Sequence, residues 1–177
     1  MTITVGGSNI TFPDSTVQNT SALVSGKVPY AYLPTGSVLQ VVTASYATNL
    51  TTSSSTWVTT GLSASITPSS TSSKILVIVN QSTNCYSSNS YVLGLQLWRG
   101  GSSVLTLTNA NGDGTNAANS IYMMTPITYL DSPASASSVT YTTYYAATST
   151  ASGPYGNFVG VQPNSTPSII TLLEIAG

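Results

Sequence analysis

Residues 74–80 read KILVIVN: five aliphatic side chains in succession, Ile75 to Val79, between a lysine and an asparagine. A run this short, mostly β-branched and with no polar face, predicts a strand covered on both sides. It also argues against a disordered chain, because disorder requires low hydrophobicity. Further short β-prone runs recur on either side, each bounded by Gly, Pro, Asn or Ser. Residues 37–45 alternate, with Val38, Gln40 and Val42 facing one way and Leu39, Val41 and Thr43 the other. Residues 56–60 and 64–67 bracket a bend at Gly61. Residues 91–99 and 103–108 flank Gly100-Gly101, a hairpin signal. Runs at 122–130, 139–146, 156–161 and 168–175 complete the set, and residues 2–5 and 9–12 flank Gly6-Gly7 as a small hairpin. Eight or more strands with no helical periodicity predict an all-β chain, an antiparallel β-sandwich of jelly-roll type.

The first 36 residues read differently. Pro13, Pro29 and Pro34 break them, and their apolar residues are isolated. The expected organisation is an extended N-terminal arm with a small hairpin over residues 1–36, then the sandwich over 37–177. Leu23, Val24, Val28, Tyr30, Tyr32 and Leu33 have no core of their own, so the arm is expected to dock on a neighbour through them.

Composition narrows the function. Seven of the 177 side chains are charged: Asp14, Lys27, Lys74, Arg99, Asp113, Asp131 and Glu174. That is 4%, where a soluble domain carries about a quarter. Ser and Thr make up about a third of the chain, histidine is absent, and Cys85 is alone. A net charge of −1 gives no field to draw nucleic acid or an anionic membrane. No apolar run approaches the roughly 20 residues of a membrane span, and residues 1–12 lack the basic and apolar regions of a secretory signal. No cofactor is implied. Without histidine, neither a Ser-His-Asp triad nor a Cys-His pair can be built, so the chain is not expected to be an enzyme.

Several segments together carry a family resemblance. TVGGSNITFPDSTVQNTSA at the N-terminus resembles the glycine-rich hairpin and following segment of phage virion proteins. SVLQVV, WVTTGLSASITPSSTSSKILVIVN, LQLWRGGS, ITYLDSPASASSVTYTTYY and SIITLLEIAG are similar to the distal β-domain of tailed-phage fibres and head knobs, particularly those of phages of cyanobacteria and other aquatic bacteria. The resemblance implies a homotrimeric virion component, made in the host cytoplasm and carried on the particle exterior. About 36 residues precede the sandwich, where phage fibres normally carry a longer adaptor and shaft. That favours a capsid cement (decoration) protein docked on the major capsid protein or another virion protein. The alternative is a short tail fibre that contacts host surface polysaccharide.

Individual residues offer little chemistry beyond this. Asp113 and Asp131, with Asp14 and Glu174, are the carboxylates a glycoside hydrolase would need. Asp131, in LDSPAS, reads as a turn residue, and Glu174 as an edge or subunit contact. Residues 109–116, NANGDGTN, alternate oxygen-bearing side chains with glycine in the manner of a Ca²⁺ loop, but with one carboxylate, so no metal site is assigned. Tyr86, Tyr91, Tyr144, Tyr145 and Tyr155 lie in or beside Ser/Asn/Gly-rich stretches. They either stack on a host surface glycan or pack at sheet faces and trimer contacts. Trp98 reads as a core or interface anchor, with Arg99 reaching outward to water.

Overall fold

A computed structural model of the chain describes residues 4–6, 9–11, 17–19, 33–87, 92–112, 119–149 and 158–177. Three short strands, β1 (Thr4–Gly6), β2 (Asn9–Thr11) and β3 (Val17–Asn19), form a small antiparallel sheet; β1 and β2 pair as the hairpin expectation has it, with Gly6 inside β1 opposite Asn9. The sandwich begins with β4 (Val38–Tyr46) and β5 (Leu50–Thr52), followed by β6 (Val58–Ile66), β7 (Lys74–Ser87), β8 (Val92–Arg99) and β9 (Ser102–Gly112). It returns through β10 (Asn119–Asp131), β11 (Val139–Ser149), β12 (Phe158–Val161) and β13 (Ser168–Ile175).

Strand pairing defines the architecture. β7 pairs β10 along one edge, and along the other it pairs β13 and then β12, which lie end to end. β13 and β12 pair in turn with β4 and β5. Counting each broken pair as one strand, the first sheet runs β4/β5, β12/β13, β7, β10. The second runs β6, β11, β8, β9. Every sandwich strand therefore meets its mirror position in the chain: β8 with β9, β7 with β10, β6 with β11, β4/β5 with β12/β13. That nested antiparallel order is an eight-stranded jelly roll. Its innermost turn is Gly100-Gly101, with φ of 54° and 97°, the two positive values that a two-residue hairpin of this kind requires.

The core lies between the sheets. Ile75, Val77 and Val79 from β7 and Ile170 and Leu172 from β13 face Leu93, Leu95 and Leu97 from β8 and Tyr141 and Tyr145 from β11. KILVIVN is thus only partly as its composition suggests. Its odd positions are fully buried, but Leu76 and Ile78 point outward and remain half-buried. Two other local expectations also change. The register between β4 and β13 shifts near Leu39, so Val38 and Val41 both face outward while Gln40 faces in. Residues 58–66 form one strand rather than two. Gly61, at φ 82°, is absorbed within it beside a register irregularity, and a Cβ there would strike the Tyr46 ring.

The two faces of β7 should respond oppositely to charge. Val77→Asp puts an unpaired carboxylate in the core, at a cost of several kcal/mol against a total stability of about 5–15 kcal/mol. It should yield no folded protein by circular dichroism. Leu76→Asp, one residue away on the outer face, should retain the β spectrum and a cooperative melt.

Candidate functional site

Among the described residues four side chains are charged, and three of them close one end of the sandwich. Gln40, Glu174, Ile75 and Asp131 lie level across the first sheet. Glu174 is solvent-inaccessible. Its Oε1 accepts from the backbone N–H of Ser69 (2.7 Å), from Ser69 Oγ (2.6 Å) and from Ser73 Oγ (2.7 Å), and its Oε2 accepts from Gln40 Nε2 (2.6 Å). Burial pushes this carboxyl up, and the hydrogen bonds from Ser69, Gln40 and Ser73 more than offset it, leaving the group below the ordinary glutamate value. Asp131 accepts two hydrogen bonds from Arg99 Nη1 (2.7 and 2.8 Å) and one from the Tyr141 hydroxyl (2.6 Å). The Asp131 contact holds the Arg99 guanidinium above its usual range, and burial together with Asp131 raises the Tyr141 phenol. This cluster ties β10 of the first sheet to β8 and β11 of the second.

These contacts correct three expectations. Asp131 ends a strand and pairs across the core rather than starting a turn. Glu174 is internal, on a strand flanked on both sides, rather than at an edge. Arg99 bends onto Asp131, though its side chain remains 34% exposed to water.

A second polar cluster sits in the middle of the core, and nothing in the sequence pattern announced it. Thr143 Oγ1 donates to Gln81 Oε1 (2.9 Å) and contacts Thr60 Oγ1 (2.6 Å). Gln81 Nε2 donates to Ser168 Oγ (2.8 Å), which also accepts from the Ser82 N–H (2.9 Å). Gln162, at φ 51°, fills the break between β12 and β13. With its Oε1 accepting from Gln81 Nε2 (2.7 Å) and Ser168 Oγ (3.1 Å), its Nε2 donates to the carbonyls of Thr48 (3.2 Å) and Val161 (3.3 Å). The network is neutral and internally paired, so it fixes the relation of the sheets without offering a reactive group.

The outer faces are the surfaces left for function, and they differ in chemistry. On the first sheet, Val41, Leu173, Leu76 and Leu130 stand in register across four strands. Val41 is 57% exposed and Leu130 53%. Val38, Ile78, Ile169 and Ile175 extend this aliphatic surface. The second sheet's outer face instead carries Thr59, Ser63, Ser65, Thr140, Thr142, Ser103 and Thr106. Within this field of hydroxyls, Trp98 stacks on Tyr144, with ring centroids 4.4 Å apart and planes at 27°. Trp98 Nε1 donates to Gln96 Oε1 (2.8 Å), and Gln96 Nε2 donates to Thr106 Oγ1 (3.0 Å). Trp57 lies over Gly94, where a Cβ would come within 2.8 Å of its ring and would strike the Thr148 methyl. Both tryptophans of the chain therefore belong to this outer face, and Trp98 is not part of the core.

The sequence-predicted tyrosines separate. Tyr144 is on the aromatic face just described. Tyr145 is 2% exposed and belongs to the core, where burial pushes its phenol up to about 12, so it is not a glycan contact. Tyr86 is half-buried and stacked on Phe158 at 5.3 Å. Tyr91 and Tyr155 lie outside the described residues, as do Asp113 to Asn116 of the Ca²⁺-like stretch and Leu23, Val24, Val28, Tyr30 and Tyr32 of the arm. Leu33, the arm residue that is described, is half-buried and shares a recess with Leu39, Ser69, Ser73 and Ala176. Cys85 is buried on β7. Trp57, Gln96 and Thr106 had not been singled out. Gln96 and Trp98 are two residues apart on one strand, so their shared face was readable, whereas Trp57 reaches it only through the connection before β6.

No family model and no curated protein matches the chain. Among solved structures, a chain from the structure of infectious bursal disease virus Gt strain is similar at 14% identity and a TM-score of 0.39, over 80% of this chain. The present chain spans 39% of that chain's length. The jelly-roll assignment rests on the strand order.

The Glu174 plug has a definite pH signature. Its folded-state pKa is depressed, so its contribution is present above the ordinary value of 4.5 and is lost as pH falls through the folded value. Glu174→Gln should lower stability by about 1–2 kcal/mol at neutral pH. In urea titrations the gap between wild type and variant should close as pH drops below 4.5.

Proposed function

We propose that this chain is a phage virion structural protein, a trimeric surface knob that decorates and stabilises the capsid as a cement protein. The observation that carries the reading is the aliphatic row Val41, Leu173, Leu76 and Leu130, open on the outside of a sandwich that already has a complete core. An exposed row of this kind is a liability for a freely diffusing monomer and an asset for a subunit packed against copies of itself. The near-absence of charge supports the same role, since a net charge of −1 leaves little repulsion between copies.

Polarity along the sandwich fits attachment. Gly36 N–H donates to the Ala176 carbonyl (2.8 Å) and Ala176 N–H to the Ser37 carbonyl (2.8 Å). The arm thus joins the sandwich at the end plugged by Glu174, where docking on the major capsid protein or another virion protein is proposed. A trimer that bridges neighbouring shell subunits binds only their assembled arrangement and stabilises it by mass action. The proposed role is non-enzymatic. Of the four charged groups described, Glu174, Asp131 and Arg99 are engaged internally, which supports it. A short tail fibre that contacts host surface polysaccharide is the second reading, favoured by the aromatic face of the second sheet. Either reading puts the protein on the virion exterior.

Native mass spectrometry should give a homotrimer, and Leu76→Asp should give a folded monomer. In co-sedimentation the intact trimer should bind undecorated heads at low and high salt alike, and a variant lacking residues 1–36 should not. A wild-type monomer would remove the trimer. Binding to isolated tails but not to heads would move the assignment to the fibre.

A further inference from the structure

The geometry points to a binding site for a neutral hexose oligosaccharide on the outer face of the second sheet, built from Trp98, Tyr144, Gln96 and Thr106 and extended by Trp57. This shares one premise with the proposed function: copies associate through the first sheet and leave the second sheet's outer face free. It goes beyond that reading by assigning residues and a ligand class to this face, and it holds whether the knob sits on head or tail.

A chain with two tryptophans normally buries them, because each carries a large apolar surface. Here the core is filled by aliphatic residues with Tyr141 and Tyr145, and both indoles lie half-buried on the outer side of the second sheet. They stand, moreover, on one face. Gly94, Gln96 and Trp98 alternate along β8 on its outer side, so the stretch from the Trp57 ring over Gly94 to Trp98 covers about 13 Å, enough for more than one sugar ring.

The surroundings select the ligand. Among the described residues, the side chains around the Trp98 and Tyr144 rings are mostly hydroxyls and one amide; Val58, beside Trp57, is the exposed aliphatic residue of this sheet, whereas the aliphatic row lies on the other. Contact between copies needs contiguous apolar area, and the first sheet has more of it. A pyranose calls for what is present here: aromatic surface against its C–H face, and neutral donors and acceptors around its hydroxyl rim. Among the described residues no charged side chain lies around these rings, which selects a neutral sugar over an acidic one. The site is also preorganised. Stacking at 4.4 Å holds Trp98 and Tyr144 against each other, and the chain of hydrogen bonds from Trp98 Nε1 through Gln96 to Thr106 fixes the indole and the amide. Little side-chain freedom is left to lose on binding. The Gly94 contact serves the same end, since any side chain there would displace Trp57.

Because both tryptophans belong to the site, intrinsic emission reports on it directly. The intact protein is titrated with maltohexaose, cellohexaose and mannohexaose. At least one should change the emission saturably, with a dissociation constant of about 1 mM, and equally at low and high salt. Trp98→Ala and Tyr144→Ala should each weaken binding at least tenfold by calorimetry, Trp98→Phe should restore most of it, and Tyr86→Ala should change nothing. All variants should keep the oligomeric state of the wild type. Gln96→Ala, which removes no ring, serves if Trp98→Ala fails to fold, and should weaken binding severalfold. No saturable response to any of the three sugars overturns the proposal. So does unchanged affinity in Tyr144→Ala or Gln96→Ala. Loss of the trimer in a folded Trp98→Ala or Tyr144→Ala variant would make this face a contact between copies, leaving the trimeric-knob reading standing and the sugar site refuted. The converse, a monomeric wild type that binds sugar through Trp98, would refute the trimer and keep the site.

Discussion

Everything in this sandwich depends on one pairing constraint: the chain folds back on itself about Gly100-Gly101, and each strand pairs with its mirror position along the sequence. Once the tight turn fixes the register of β8 against β9, side-chain alternation decides which residues of each strand enter the core. The departures from strict alternation are local. The shift near Leu39 turns Val38 outward, and Gly61 absorbs an irregularity within β6. Both lie on the outer strand pairs, where an error in register would otherwise accumulate.

With so few charges, the chain relies on neutral groups for specificity. Gln81, Thr143, Ser168 and Gln162 are buried with their partners in reach, and sliding one sheet over the other would break the Thr143–Gln81 bond that crosses between them. The rare carboxylates do equivalent work at the end where the chain enters and leaves. Glu174 gathers the connection between β6 and β7, and Asp131 clamps the two sheets. The result is a body whose described carboxylates are engaged internally and whose two outer faces differ, one aliphatic and one aromatic among hydroxyls. In the proposed reading, association through one and sugar recognition through the other need not compete.

The strands were largely legible in the sequence because turn residues punctuate them and β-branched residues fill them. Gly100-Gly101 gave a hairpin, and KILVIVN a core strand. The strand order needed the fold itself, since no local signal says that β13 inserts between β4 and β7. KILVIVN misled in one respect. A continuous aliphatic run looks the same whether its second face is covered within the chain or left for another molecule, and Leu76 and Ile78 are only half-buried. The candidate surface was less legible still. Tyr144 and Tyr145 are adjacent, and alternation sends one to the surface and the other to the core. Composition could not choose between them, but the pairing of Tyr144 with Gln96 does. Asp131 looked like a turn residue because Ser132 and Pro133 follow it, yet the strand runs one residue further, far enough to reach Arg99.

The nested order also governs how the protein is made. The innermost pair closes across two residues, whereas β4 waits for β13, the last strand of the sandwich to be synthesised. Loop-closure entropy and the long sequence separation of the outer pairs make the late steps slow. Until β13 arrives, the flank of β7 that it later covers has no strand beside it, and the nascent chain has almost no charge with which to repel its neighbours on the same message. Production of this protein is therefore most exposed to misassociation in the interval between emergence of β7 and emergence of β13. Pairing of the two ends of the sandwich through Gly36 and Ala176 marks the close of that interval.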